Sequence, residues 1–141
     1  MSKYGAKKTN IQDITFDSKV ESQYYEKCLD DKAKGLIINF ELQPRYELQP
    51  AFTKDNKKYR KMEYVADFLI YHIDGSLEVI DIKGYALETA NMKRKLFNCK
   101  YIDLKLTWLV RNLKYGGWVE FDDLKRLRKI NKKVKLNANK E

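Results

Sequence analysis

Apolar side chains recur along the chain with two different periods, and the switches between them mark the elements. After Phe16, Val20, Tyr24 and Cys28 return every four residues, with Tyr25 and Leu29 widening the stripe, as on the buried face of a helix. Asp17 or Ser18 can cap it, so a helix is predicted over 18–32, ending before Gly35. Residues 36–40 form a short β-rich run, and 43–52, which holds both prolines, reads as strand with edges or bulges. The polar stretch 53–61 reads as a turn or loop. Residues 64–73 then read as a buried strand, Asp74-Gly75 as a hairpin turn, and 77–83 as the returning strand. Helical spacing resumes over 87–99, a strand follows at 104–110, and 114–118 is a glycine-containing turn. Leu124, Leu127, Ile130 and Val134 finally line one side of a helix that begins near Asp122 or Asp123. This order predicts an α/β fold with a mixed central β-sheet flanked by helices.

With 141 residues the chain is expected to form one domain: a flexible basic arm at 1–14, a core at 15–112 and a basic C-terminal helix or tail at 119–141. No apolar run exceeds four residues, and the opening residues lack a signal peptide's apolar stretch, so a soluble cytoplasmic protein with no membrane partner is expected. Cys28 and Cys99 form neither a disulfide framework nor a zinc-type cluster and are expected to be reduced and partly buried.

Charge narrows the choice of partner. There are 29 Lys and Arg against 20 Asp and Glu, a net +9, and residues 1–85 hold 14 of each sign while 86–141 hold 15 basic and 6 acidic side chains. The densest stretch is 124–141, led by Lys125, Arg126, Arg128 and Lys129; a smaller patch is Lys3, Lys7 and Lys8. Such segments suit phosphate neutralisation, and the competing reading is of solvated ends that maintain solubility. Lys93, Arg94 and Lys95 fan around the second helix, where one or two of them suit phosphate contacts and the alternative is an ordinary solvated face.

The hairpin carries the candidate chemistry. Two-residue alternation puts Leu77, Val79, Asp81 and Lys83 on one face of its second strand. On the first strand, Asp67 stands in an otherwise apolar run, where an unpaired carboxylate is costly. Counting back and forward from the Asp74-Gly75 turn brings Asp67 and Asp81 to the same level of the sheet. Two such carboxylates repel unless a cation lies between them, and Mg²⁺ favours one or two carboxylates completed by waters and phosphate oxygens. Lys83 is then placed to position an activated water or to stabilise charge on a phosphate. The competing reading is a structural Asp67–Lys83 ion pair beside a surface Asp81. Glu21, on the first helix, is a further acid for this site; alternatively Ser18 and Glu21 form a capping box. His72, the lone histidine, reads as a surface or turn residue, and Tyr59, Tyr115 and Trp118 remain as aromatic residues able to stack on bases.

Glu21 on an N-terminal helix, Val65-Ala-Asp67-Phe and Glu78-Val-Ile-Asp81-Ile-Lys83-Gly84 together resemble the restriction-endonuclease-like core of the PD-(D/E)XK nuclease superfamily. More narrowly, residues 3–112 resemble a phage-encoded protein family related to the endonuclease I type of Holliday-junction resolvase. Ala66 stands where that pattern has proline. The resemblance implies a Mg²⁺-dependent endodeoxyribonuclease, with Mn²⁺ able to substitute and no small-molecule cofactor. Asp67, Asp81 and the Ile82 carbonyl would bind metal, Lys83 would be the catalytic lysine, and Glu21 the helix-borne acid. It also implies branched DNA as substrate, a homodimer that makes paired cuts, and work inside a bacterial host cell. Two alternatives stand beside it: a general or nicking nuclease of the same fold, and a non-catalytic DNA-binding module with a structural acidic cluster.

Overall fold

The computed structural model describes residues 9–11, 14–16 and 18–139. Two short antiparallel strands, β1 (Thr9–Ile11) and β2 (Ile14–Phe16), precede the first helix, so part of the expected arm is regular backbone. Residues 1–8, Lys7 and Lys8 among them, lie outside the described residues. Ser18, not Asp17, opens α1 (Lys19–Ala33), its Oγ accepting from the Glu21 amide at 3.1 Å. Tyr24, Tyr25 and Cys28 are buried as the four-residue spacing requires.

Six strands follow as one long antiparallel ribbon. β3 (Ile37–Leu42), β4 (Arg45–Gln49) and β5 (Phe52–Lys54) run outward; β6 (Lys57–Tyr59), β7 (Met62–Val65) and β8 (Phe68–His72) return, pairing β5 with β6, β4 with β7 and β3 with β8. The polar stretch 53–61, expected to be a turn or a loop, holds a turn at Asp55-Asn56 between two short paired strands. Its two turn residues, Asp55 and Asn56, both adopt positive φ (51° and 63°), the backbone of a tight two-residue connection matched to strand twist. The strands that flank this turn leave no pattern in the sequence because residues 50–62 are all exposed, with no burial to impose alternation.

The second half of the fold closes the sheet. The Asp74-Gly75 turn joins β8 to β9 (Leu77–Ile82), α2 (Glu88–Lys100) crosses over, and β10 (Lys105–Asn112) lies parallel to β9. The sequence predicts a turn over 114–118, but the chain makes a 3₁₀ turn at Leu113–Tyr115 and an edge strand, β11 (Gly117–Glu120), antiparallel to β10. Gly116 and Gly117 at φ of 103° and 99° permit that reversal. The five-stranded sheet runs β11-β10-β9-β8-β3, a mixed sheet flanked by helices as predicted. Helix α3 (Phe121–Ala138) follows β11.

Three clusters form the core. Tyr24, Tyr25 and Cys28 meet Phe68, Ile70 and Ile80 on one sheet face; Phe97 meets Tyr64, Leu69 and Val79 on the other; Trp108 and Val110 meet Phe121 and Leu124 toward the α3 side. Cys28 is buried, which pushes its thiol up to about 12, whereas Cys99 is exposed and not partly buried as expected. Trp118 also departs from its reading as a base-stacking residue: its ring packs edge-on against Tyr24 at 5.1 Å. No helix among the described residues is long and apolar enough to cross a membrane.

Candidate active site

The ribbon kinks where β7 gives way to β8, and Asp67 occupies the kink. The Gln43 amide donates to the Asp67 carbonyl at 2.9 Å, with Gln43 itself at φ 50°, and the Ala66 amide donates to the Pro44 carbonyl at 3.1 Å. Phe68 pairs with Ile80 across the β8–β9 ladder, so Asp67 stands beside Asp81, as counting from the turn predicts. The backbone then locks the carboxylate: the Asp67 amide donates to the Ile80 carbonyl at 3.1 Å, and the Ile82 amide donates to Asp67 Oδ2 at 2.7 Å.

Asp81 is 5 % exposed and reaches the α2 side of the sheet with Val79. Its Oδ2 accepts from the Tyr64 hydroxyl at 2.6 Å, and that hydroxyl accepts from Trp108 Nε1 at 2.7 Å. Lys83 Nζ lies 3.2 Å from the same carboxylate oxygen and 5.2 Å from the centre of the Trp108 ring. The lysine therefore pairs with Asp81, and Asp81 is buried, which overturns the reading of an Asp67–Lys83 pair beside a surface Asp81. Tyr64 and Trp108 were legible only as core; the one further signal is register, which sets Trp108 directly beside Asp81.

Electrostatics follow from this crowding. Burial first, then the charge and hydrogen bond of Asp81, then the charge of Glu21, raise the Asp67 carboxyl well above its ordinary value of 3.8, against the opposing Ile82 amide. Burial and the adjacent Asp81 likewise raise the Tyr64 hydroxyl, keeping it a donor. Ser18 caps the Glu21 amide, which is the N-cap half of a capping box, and the charge of Glu21 acts on Asp67.

The other expected site residues divide. Arg94 lies over the Trp108 ring at 4.3 Å and forks onto Asp122 at 2.5 and 3.3 Å, so it is engaged within the molecule beside the site. Lys93 is half-buried and Lys95 exposed. Lys125, Arg126, Arg128 and Lys129 are exposed on α3, where Arg126 pairs with Asp123 at 3.1 Å. His72 Nε2 hydrogen-bonds Glu78 at 2.9 Å at the far end of β9, away from the carboxylate pair, as a turn-flanking residue.

Among the described residues no three acidic, His or Cys side chains converge into an all-protein metal cage. The donor chemistry of Asp67 and Asp81 fits instead a hard cation that keeps open positions for water and phosphate oxygens. The raised Asp67 value reflects the repulsion between them, which a proton or a divalent cation would relieve.

Fold and site define a mixed α/β protein with two adjacent carboxylates, buried Asp81 and half-buried Asp67, and a lysine at the end of a central strand. Residues 1–117 match the family model described as protein of unknown function (DUF1064), and the chain belongs to that family. No curated protein and no solved structure matches it.

Proposed function

We propose that the chain is a metal-dependent DNA endonuclease with a restriction-endonuclease-like core, selective for branched DNA such as four-way junctions, two copies supplying paired cuts. The observation that carries this reading is the Asp67–Asp81 pair across the β8–β9 ladder, with Lys83 3.2 Å from Asp81 and the charge of Glu21 acting on Asp67. Asp67, Asp81 and the Ile82 carbonyl would hold Mg²⁺ or Mn²⁺. When bound, such a cation supplies Lewis-acid activation of water and neutralisation of phosphate charge. Trp108 orients Tyr64, and Tyr64 orients Asp81, so the carboxylate keeps one direction without substrate. Lys83 brings a positive charge to the rim of the pair, where it stabilises charge developing on a scissile phosphate.

One observation favours a second reading, a non-catalytic DNA-binding module. Tyr64 and Lys83 already satisfy Asp81, and no buried side-chain polar atom among the described residues lacks a partner, as a purely structural network would have it. Cleavage of a labelled four-way junction beside a linear duplex of the same sequence, with Mg²⁺, with EDTA and with Asp81→Asn, separates these. Junction-selective cutting that needs both metal and Asp81 is expected. Equal cutting of both substrates makes the chain a general nuclease, and binding without metal-dependent cutting leaves the binding module.

A further inference from the structure

We infer that the outer half of the β-ribbon, residues 50–62, is a finger that enters a groove of duplex DNA. The inner half, β4 and β7, packs on α2: Tyr46 and Tyr64 meet Phe97, and the Tyr101 hydroxyl donates to the Glu47 carbonyl at 2.7 Å. Beyond Gln49 and Met62 this support ends. Every residue of β5 and β6 is exposed, and a two-stranded ribbon without a core is marginal in water, so its retention as a regular hairpin calls for a role outside the core.

Its composition names the partner. Residues 54–61 carry Lys54, Lys57, Lys58, Arg60 and Lys61 against one acid, Asp55. Lys61 pairs with Glu63 at 3.4 Å, while Lys54, Lys58 and Arg60 make no ion pair with any described residue. Phe52 and Tyr59 sit opposite each other in the ladder and stack face to face, centroids 4.6 Å apart and planes 6° from parallel, yet they remain 43 % and 39 % exposed. Register places Lys54 and Lys57 on the same face, with Lys57 Nζ 5.1 Å over the Tyr59 ring. That face combines cations for phosphates with flat apolar surface for sugars and base edges, and a two-stranded ribbon fits the roughly 12 Å width of the major groove.

The finger is also aimed. Its root is the kink that holds Asp67, so a duplex gripped by the tip is tethered about 30 Å along the ribbon from the carboxylate pair, ten residues at strand rise. None of these residues figured among those expected to bind phosphate, apart from Tyr59 as a stacking residue. The choice of DNA over another polyanion rests on the nuclease reading; the binding itself does not require catalysis.

The test is fluorescence anisotropy of a labelled DNA duplex with the full chain in EDTA, titrated with NaCl. Replacing Lys54, Lys57, Lys58 and Arg60 together with Gln should weaken binding ~10- to 100-fold at low salt and flatten the log affinity against log salt slope by about 3 to 4. The Phe52→Ala, Tyr59→Ala pair should weaken binding with the slope kept. Lys54→Arg, Lys57→Arg and Lys58→Arg together should bind as the parent does, and thermal midpoints of all variants should match, because the tip touches no core. An unchanged slope in the Gln variant overturns the proposal, as does an A-form RNA duplex bound equally tightly with the same dependence on the tip. Tip-dependent binding without Mg²⁺-dependent cleavage sustains the finger and removes the nuclease; cleavage with tip-independent binding does the reverse.

Discussion

Tyr64 converts a packing position into part of the site. It is 4 % exposed, takes the Trp108 N–H and gives its own proton to Asp81. Tyr64→Phe keeps the ring against Phe97 but strands a buried indole N–H and removes a donor from a buried carboxylate. The expected cost is about 1–3 kcal/mol, read as a lower urea midpoint at unchanged m-value, together with slower cleavage. Asp67 makes a second, pH-dependent prediction. Its folded-state value is raised above 3.8, so the folded chain holds a proton that the unfolded chain has released. Its contribution is therefore fully present below about 3.8 and is lost as pH rises through the raised folded value. Asp67→Asn, which can still accept from the Ile82 amide, should melt higher than the parent in EDTA at alkaline pH, with the gap closing toward pH 4. Mg²⁺ should stabilise the parent and not the variant; a gap independent of pH would remove the shared-proton account of the pair.

Helix α2 is anchored chiefly by one side chain. Phe97 is its only buried residue, fully enclosed between Tyr46, Tyr64 and Tyr101. Phe97→Ala should cost about 3–5 kcal/mol, and hydrogen exchange should show α2 opening ahead of the sheet. The elements that periodicity predicted are those with a buried face: α1 through Tyr24 and Cys28, and the β8–β9 hairpin through Phe68, Leu69, Val79 and Ile80. Its Asp74-Gly75 turn fixed the register and so brought Asp67 to Asp81. The elements that were missed lack either such a face or the length to display it. β5 and β6 are wholly exposed, so nothing imposed alternation, and the Asp55-Asn56 turn lacks the glycine that marks most tight hairpins. β11 is four residues long and starts at a glycine, which reads locally as turn. The Tyr64–Trp108 link escaped for another reason: it joins residues 44 positions apart, and only the parallel pairing of β9 with β10 brings them together.

The net charge of +9 lies within 86–141, but basic side chains are concentrated on two surfaces rather than one tail. The ribbon tip extends from one part of the molecule, and α3 carries the second basic surface. α3 is not a frayed end at its start: Phe121 and Leu124 are 8 % and 3 % exposed and pack on Trp108 and Val110, while Ile130, Val134 and Leu136 are exposed. Removing all of 124–141 would thus take a core residue along with the charges and confound binding with folding. A cut after Ile130 leaves Leu124 and Leu127 in place and deletes Lys132, Lys133, Lys135 and Lys140. The thermal midpoint should hold. If those lysines neutralise phosphates, the salt slope for duplex binding should fall by up to about 4, near 0.9 per contact, and the loss should add to that of the ribbon-tip variant because the two sets share no partners. Truncation that leaves the slope unchanged while the tip variant flattens it would assign the DNA to the ribbon and leave the end of α3 as a solvated basic helix.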